Sequence, residues 1–340
     1  MATDLATRIA GSRVVDLEHP RKIGDPSHPN HWPGFSLYLH RRHEPGLAES
    51  RSSASGVIIT AEHSGTHIDA LCHQAEDLQM SGGVPANPRT QGPHGFSALA
   101  MESVKPILAP GVLLDVAALH RGRLPEGYLI SAEDLERCET EQGVKVAPGS
   151  VALIRTGYGA AWPDNELYLK AAGVSGAGAE WLAARRVRAV GVDNVALDVL
   201  GNIDETTRTS LPCHLILIVR NGIHIIENLA LEELSEFRDR DFTFVCLPLK
   251  VIGGTGCPVR PVALVEIACP GGRKRKSWNW IKPPLSGSSK RRSKRPGPSN
   301  PRRASRWWTG AGISSRSCEW MAPCSPASKF RSVRPIQRAR

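Results

Sequence analysis

The stretch GVIITAEHSGTHIDALCHQ, residues 56–74, decides how the rest of the chain is read. It opens with the β-branched run Gly56-Val-Ile-Ile-Thr60, the composition of a short strand, and leads directly into His63, His67, Asp69 and His73. Imidazole and carboxylate are the side chains that borderline divalent ions take as ligands. The Gly65-Thr66 step between the first two histidines disfavours a regular helix, so these histidines are expected to converge through a turn and not through i,i+4 spacing. In an extended segment His67 and Asp69 would share one side. On spacing alone the segment reads as a set of metal ligands or as a polar surface loop.

Outward from this stretch, the first 270 residues alternate strand and helix signals. Val112-Leu-Leu-Asp-Val116 and Val151-Ala-Leu-Ile-Arg155 read as buried strands, each preceded by a Pro-Gly step. Between them Ser131-Ala-Glu-Asp134 has the pattern of a helix start, and Gly143 that of its stop. The segment 179–186 reads as a helix followed by a strand at 189–192. The apolar runs at 215–219, 223–226 and 242–247 carry β character, and 231–237 reads as a short helix. The fold class is therefore mixed α/β.

Composition supports one sizeable domain. The chain has 340 residues and 41% hydrophobic content, ordinary for a soluble globular protein. The opening residues lack a signal-peptide run, and no window approaches the ~18 apolar residues of a membrane span; the expectation is a cytoplasmic protein without membrane partners. Eight scattered cysteines with no Cys-x-x-Cys pair read as buried or idle thiols. Neither a Gly-x-Gly-x-x-Gly fingerprint, a P-loop nor a Gly-x-Ser-x-Gly elbow occurs, which argues against nucleotide binding and a serine hydrolase.

The net charge of +10 is misleading until it is located. Residues 271–340 hold 19 of the 43 Lys+Arg and one of the 33 acidic residues, leaving 24 against 32 in residues 1–270, a body of net charge −8. The basic segment also holds five of the eight tryptophans, with abundant Pro and Ser. High like charge and low apolar content predict disorder there. Arg and Lys interleaved with Trp is a pattern that can bind nucleic acid, but the abrupt break in composition favours a non-selected extension, such as the product of a shifted reading frame.

A second cluster of candidate ligands lies downstream: His214 before an apolar run, and Glu227 closing the strand at 223–226. Together with His-x-Gly-Thr-His-x-Asp and His73, these residues resemble the metal-dependent cyclase family, which includes bacterial kynurenine formamidases and isatin hydrolases. Trp32-Pro-Gly34, Leu153-Ile-Arg-Thr-Gly157, Gly191-Val-Asp193, Leu197-Asp198 and Gly253-Gly-Thr-Gly256 extend the likeness over roughly residues 12–268. One departure is Leu71, where the family usually has proline.

The resemblance implies a single mixed-sheet α/β/α domain over residues 1–270, with 271–340 as a basic extension. It implies two divalent ions, Zn²⁺ or Mn²⁺, with His63, His67 and Asp69 on the first and Asp69 and Glu227 bridging to a second held by His214. His73 would move the catalytic proton, and Trp32 would lie beside an aromatic substrate. The implied reaction is hydrolysis of a small amide, an aryl formamide such as the tryptophan catabolite N-formylkynurenine, with lactam or other cyclic amide opening as the alternative. The resemblance also implies a homo-oligomer. A metal- or nucleic-acid-binding protein acting through its basic segment is the non-enzymatic alternative; the ligand set with His73 speaks against it.

Overall fold

A computed structural model describes residues 9–45, 49–162, 164–237 and 241–266, all within one compact unit spanning 1–273. The expectations for 271–340 therefore fall outside the described residues. The centre is a nine-stranded sheet whose strands, in chain order, are β1 (Ser12–Asp16), β2 (His67–Asp69), β3 (Ile107–Asp115), β4 (Val151–Arg155), β5 (Ala189–Val192), β6 (His224–Glu227), β7 (Asp241–Cys246), β8 (Gly256–Pro258) and β9 (Val262–Glu266). Their order across the sheet is β1-β9-β7-β3-β4-β5-β6-β2-β8. The four strands β3 to β6 are mutually parallel, and every other pairing is antiparallel.

The parallel strands read as near-continuous apolar runs because both of their faces are buried. Alternate residues face different cores. Val112, Leu114, Ala152, Ile154, Val190 and Ile225 join one cluster, and Leu113, Val151, Leu153, Ala189 and Ile226 join the other. Helices α1 (Ala132–Gln142) and α2 (Gly176–Ala184) cover the first face with Leu135, Cys138, Ala179 and Leu182. A monotonic strand order with right-handed crossovers puts successive helices on the same face. The second core draws Val15 and Val265 from one end of the sheet and Ile68 and Cys257 from the other, so the sheet curls around it.

The local signals for helices were accurate where a cap marks the boundary. Ser131 and Asp134 form a full capping box, and Gly143 ends α1 in the left-handed conformation at φ 67°. Helix α2 starts earlier than its apolar pattern suggests, because Ser175 accepts a hydrogen bond from the Gly178 amide and caps it there. The expected strand at 215–219 is instead a π-helix, Leu215–Arg220. A fully buried apolar run has no polar face to reveal its period, so strand and helix look alike in sequence; Pro212 at the preceding turn starts it as a helix. The five described cysteines, at 72, 138, 213, 246 and 257, are buried free thiols. No helix among the described residues is long and apolar enough to cross a membrane.

One glycine sets the spacing behind the functional end of the sheet. A Cβ at Gly173 would lie 2.5 Å from the Asp198 carbonyl carbon and 2.6 Å from the Leu197 oxygen, both rigid backbone atoms. Gly173→Ala is expected to destabilise the protein by about 1–3 kcal/mol, read as a lowered urea midpoint with an unchanged slope.

Candidate metal centre

The candidate residues meet where β6 ends against β2. The turn after Thr60 carries His63 and passes through Gly65 at φ 61°, a backbone state that glycine adopts without steric cost. The chain then enters β2, where His67 and Asp69 fall on one side, as the extended reading required. Glu227 pairs in register with His67 across the β6–β2 ladder. His214 arrives from the short helical turn Pro212–His214 that leads into the π-helix. His63, His67, Asp69, His214 and Glu227 are each at most 6% exposed.

Hydrogen bonds fix which ring edges face the centre. His67 Nδ1 donates to the Gly65 carbonyl at 2.7 Å, which turns Nε2 inward. His214 Nδ1 donates to Asp198 Oδ2 at 2.8 Å and likewise turns Nε2 inward. His63 Nδ1 lies 2.8 Å from Asp69 Oδ1, and its Nε2 lies 2.9 Å from Thr255 Oγ1. His67 Nε2 then sits 3.3 Å from Glu227 Oε2 and 3.7 Å from Asp69 Oδ1. His214 Nε2 sits 3.3 Å from Glu227 Oε1 and 3.6 Å from Asp69 Oδ2.

These inward atoms fit a divalent metal. His67 Nε2, Asp69 Oδ2 and Glu227 Oε1 are buried without a well-formed hydrogen bond, in ion-pair contacts of 3.3–3.7 Å, a costly state for polar atoms. Ligands about 2.0–2.2 Å from a tetrahedral ion are separated from one another by roughly 3.3–3.6 Å, close to the separations found here. Two ligand-distance groups share Asp69: one with His63 and His67, the other with His73 and His214.

The imidazoles and carboxylates shift one another's titration. Burial alone would lower the pKa of His214, but the carboxylates of Asp198 and Glu227 outweigh it and raise the pKa well above the usual histidine range. His67 is raised against burial by Glu227 and Asp69. Burial would raise Asp69, yet the surrounding imidazoles hold it well below the usual carboxylate range, and Glu227 is lowered in the same way. His73 goes the opposite way, pushed down to about 3 chiefly by burial. Its ring stacks on His63 with centroids 3.9 Å apart.

Further residues support or flank the centre. Asp198 is a positioning group for His214, and its other oxygen accepts from the Cys213 amide at 2.8 Å. Asp193 takes hydrogen bonds from Thr156 and Gly157 and serves the fold. His28 and His31 are half-buried, and the His31 ring lies 4.8 Å from that of His63. The Pro-rich segment folds back over the centre, which its composition did not reveal. His19 stacks on Trp162 at 4.7 Å and is buried. Trp32 follows His31 but is 87% exposed.

Sequence reasoning missed Thr255, Glu62 and Asn228. Thr255 bonds His63 and is itself held by Glu62, while Asn228 Nδ2 donates to Gly65 O at 3.0 Å and steadies the carbonyl that orients His67. All three lie within or beside the motifs that were read, in AEHSGTH, Gly-Gly-Thr-Gly and Ile-Ile-Glu-Asn, but nothing local indicates their partners.

The Cyclase family model matches residues 15–199. The chain belongs to this family. Among relatives, it is 28% identical over 237 residues to a kynurenine formamidase of Bacillus cereus, covering 68% of this chain and 89% of that protein. It is 26% identical over 208 residues to a kynurenine formamidase of Bordetella avium, covering 60% and 78%. Among solved structures, a protein described as a novel cyclase aligns with TM-score 0.67 at 28% identity, covering 76% of this chain and 89% of that one. Isatin hydrolase A from Ralstonia solanacearum shares the cyclase fold, with TM-score 0.61 at 23% identity over 78% and 98%.

Because the flanking carboxylates raise the pKa of His67 and His214, metal binding at these nitrogens competes with protons. Apparent affinity should therefore rise with pH near neutrality, by about tenfold per pH unit for each imidazolium proton displaced. Chelator competition across pH measures the slope, and proton release recorded on metal addition gives an independent count. Asp198→Asn should weaken metal binding by roughly 10–100-fold while leaving the far-UV spectrum unchanged.

Proposed function

We propose that this cyclase-family chain is a metal-dependent hydrolase that cleaves the C–N bond of a small amide, with an aryl formamide such as N-formylkynurenine as the substrate. The observation that carries the reading is the set of inward atoms without a well-formed hydrogen bond on His67, Asp69 and Glu227, with the His73 ring standing beside them. The kynurenine formamidase relatives support the choice of an aryl formamide.

In this reading His63, His67 and Asp69 hold one ion, and Asp69, Glu227 and His214 hold a second. The centre takes Zn²⁺ or Mn²⁺, ions that accept mixed imidazole and carboxylate ligands. Bound metal supplies Lewis acidity, polarising the scissile carbonyl and lowering the pKa of water at the site. His73 provides the proton path. Burial keeps its ring neutral at pH 7, so it can accept the proton of the attacking water and return it to the leaving nitrogen. Asp198 and the Gly65 carbonyl keep His214 and His67 aimed inward throughout. His28 and His31 lie over the centre and restrict water on that side.

Opening of an isatin-type lactam is the second reading, favoured by the fold shared with isatin hydrolase A. It breaks the same kind of bond, but the leaving nitrogen stays tethered to the product.

The direct test is formate release from N-formylkynurenine by the purified chain loaded with Zn²⁺ or Mn²⁺, beside a His67→Ala control. Metal-dependent release that the control loses is expected. A folded, metal-loaded chain that releases no formate but opens isatin would replace the first reading with the second. His73→Ala should keep its metal content and lose about 10²-fold or more in kcat. If metal content falls with it, His73 is a ligand and not the proton carrier.

A further inference from the structure

The metal centre occupies the carboxyl ends of the parallel strands. At their amino ends lies a separate cavity of about 420 Å³, lined by residues just before or at the start of β3, β5 and β6. Its size is within the range of small-molecule sites. Lys105, Arg186 and Arg188, all exposed, are among its lining residues, and no carboxylate is. In a body of net charge −8, three cations around one cavity without an acidic neighbour form a local reversal of charge.

The cationic side chains are not consumed by structure. Among the described residues, neither Lys105 nor Arg186 reaches a carboxylate, and Arg188 spends one Nη2 hydrogen bond on the Pro106 carbonyl at 3.1 Å. Arg186 sits at φ 52°, a left-handed position where glycine or asparagine would carry less strain. Neutral polar groups complete the wall, Asn221 as an amide and His224 with an acceptor nitrogen. Asn221 is anchored through its Nδ2 to the Ile216 carbonyl at 2.8 Å. His224 donates from Nδ1 to the Asp69 carbonyl at 2.8 Å, and its Nε2 has no protein partner among the described residues.

We propose that this cavity is a second ligand site, distinct from the metal centre, that binds a small organic dianion bearing a phosphate monoester or two carboxylates. The two guanidinium groups supply forked donors that match either oxyanion, and Lys105 adds a point charge at the rim. The cavity is too large to be filled by an inorganic anion alone, which is why the ligand is an organic one.

Calorimetric titration of the full metal-loaded chain with glycerol 3-phosphate, and separately with succinate, tests this. Neither probe is a strong chelator, and the two arms distinguish the phosphate from the dicarboxylate source. Saturable binding of one of them is expected, weakening with added salt, with a loss of about tenfold or more in Arg186→Ala and in Lys105→Ala. Arg186→Lys should recover part of that loss, and His67→Ala, which disables the metal centre, should leave the binding intact. Equal affinity in wild type and the Lys105 and Arg186 variants, or no binding of either probe at millimolar concentration, overturns the proposal. So does a flat titration accompanied by a fall in molecular mass of the Lys105→Ala/Arg186→Ala variant in light scattering, which would assign the cations to a carboxylate of a second copy.

Discussion

Asp69 and Glu227 are two carboxylates buried side by side, and the surrounding architecture answers the cost of putting them there. Removing an ion from water costs several kcal/mol even after relaxation, unless opposite charge and hydrogen bonds surround it. Here His63, His67 and His214 provide that surrounding, and each of their rings is held from behind by Thr255, the Gly65 carbonyl or Asp198. The arrangement still leaves inward atoms without a well-formed hydrogen bond. A structural core would not retain that deficit; a centre for a cation needs it.

The sheet explains how such a centre can be rigid. Four parallel strands, buried on both faces, end together, and loops leaving their carboxyl ends are held by the same packed layers. β2 is only three residues long, yet it is clamped between β6 and β8 by ladders on both sides, which fixes His67 and Asp69 within the sheet itself. Gly173 lets the backbone carrying Asp198 pass close behind, so the support of His214 depends on a residue with no polar atom in the site. Three ligands on strands, with His63 and His214 on packed turns beside them, give the geometric precision that metal chemistry requires.

Charge is divided with equal consequence. The acidic body concentrates carboxylates at the metal centre and leaves a cationic cavity at the opposite ends of the same strands. His224 touches both regions, through its bond to the Asp69 carbonyl on one side and its place in the cavity wall on the other. Opposite fields at the two ends of one sheet are separated by the length of its apolar strands, β6 running from His224 in the cavity wall to Glu227 at the metal centre.

The ligand types, their order along the chain and the caps of α1 were legible in sequence, because each depends on contacts within a few residues. The pairing of His67 with Asp69 followed from the two-residue period of a strand, and the capping box from its own spacing. The supports of the centre were not legible. Thr255 lies 192 residues from His63, Asn228 lies 163 from Gly65, and neither carries a local mark of its partner. The burial of His19, His28 and His31 was hidden for the same reason, since a Pro-rich segment looks solvated until something is known to lie beneath it. The π-helix at Leu215–Arg220 was misread because a fully buried apolar run shows no period. The sequence by itself determined which chemistry the chain carries; tertiary structure alone decided which ring edges face inward, because ring orientation is set by hydrogen bonds from distant segments.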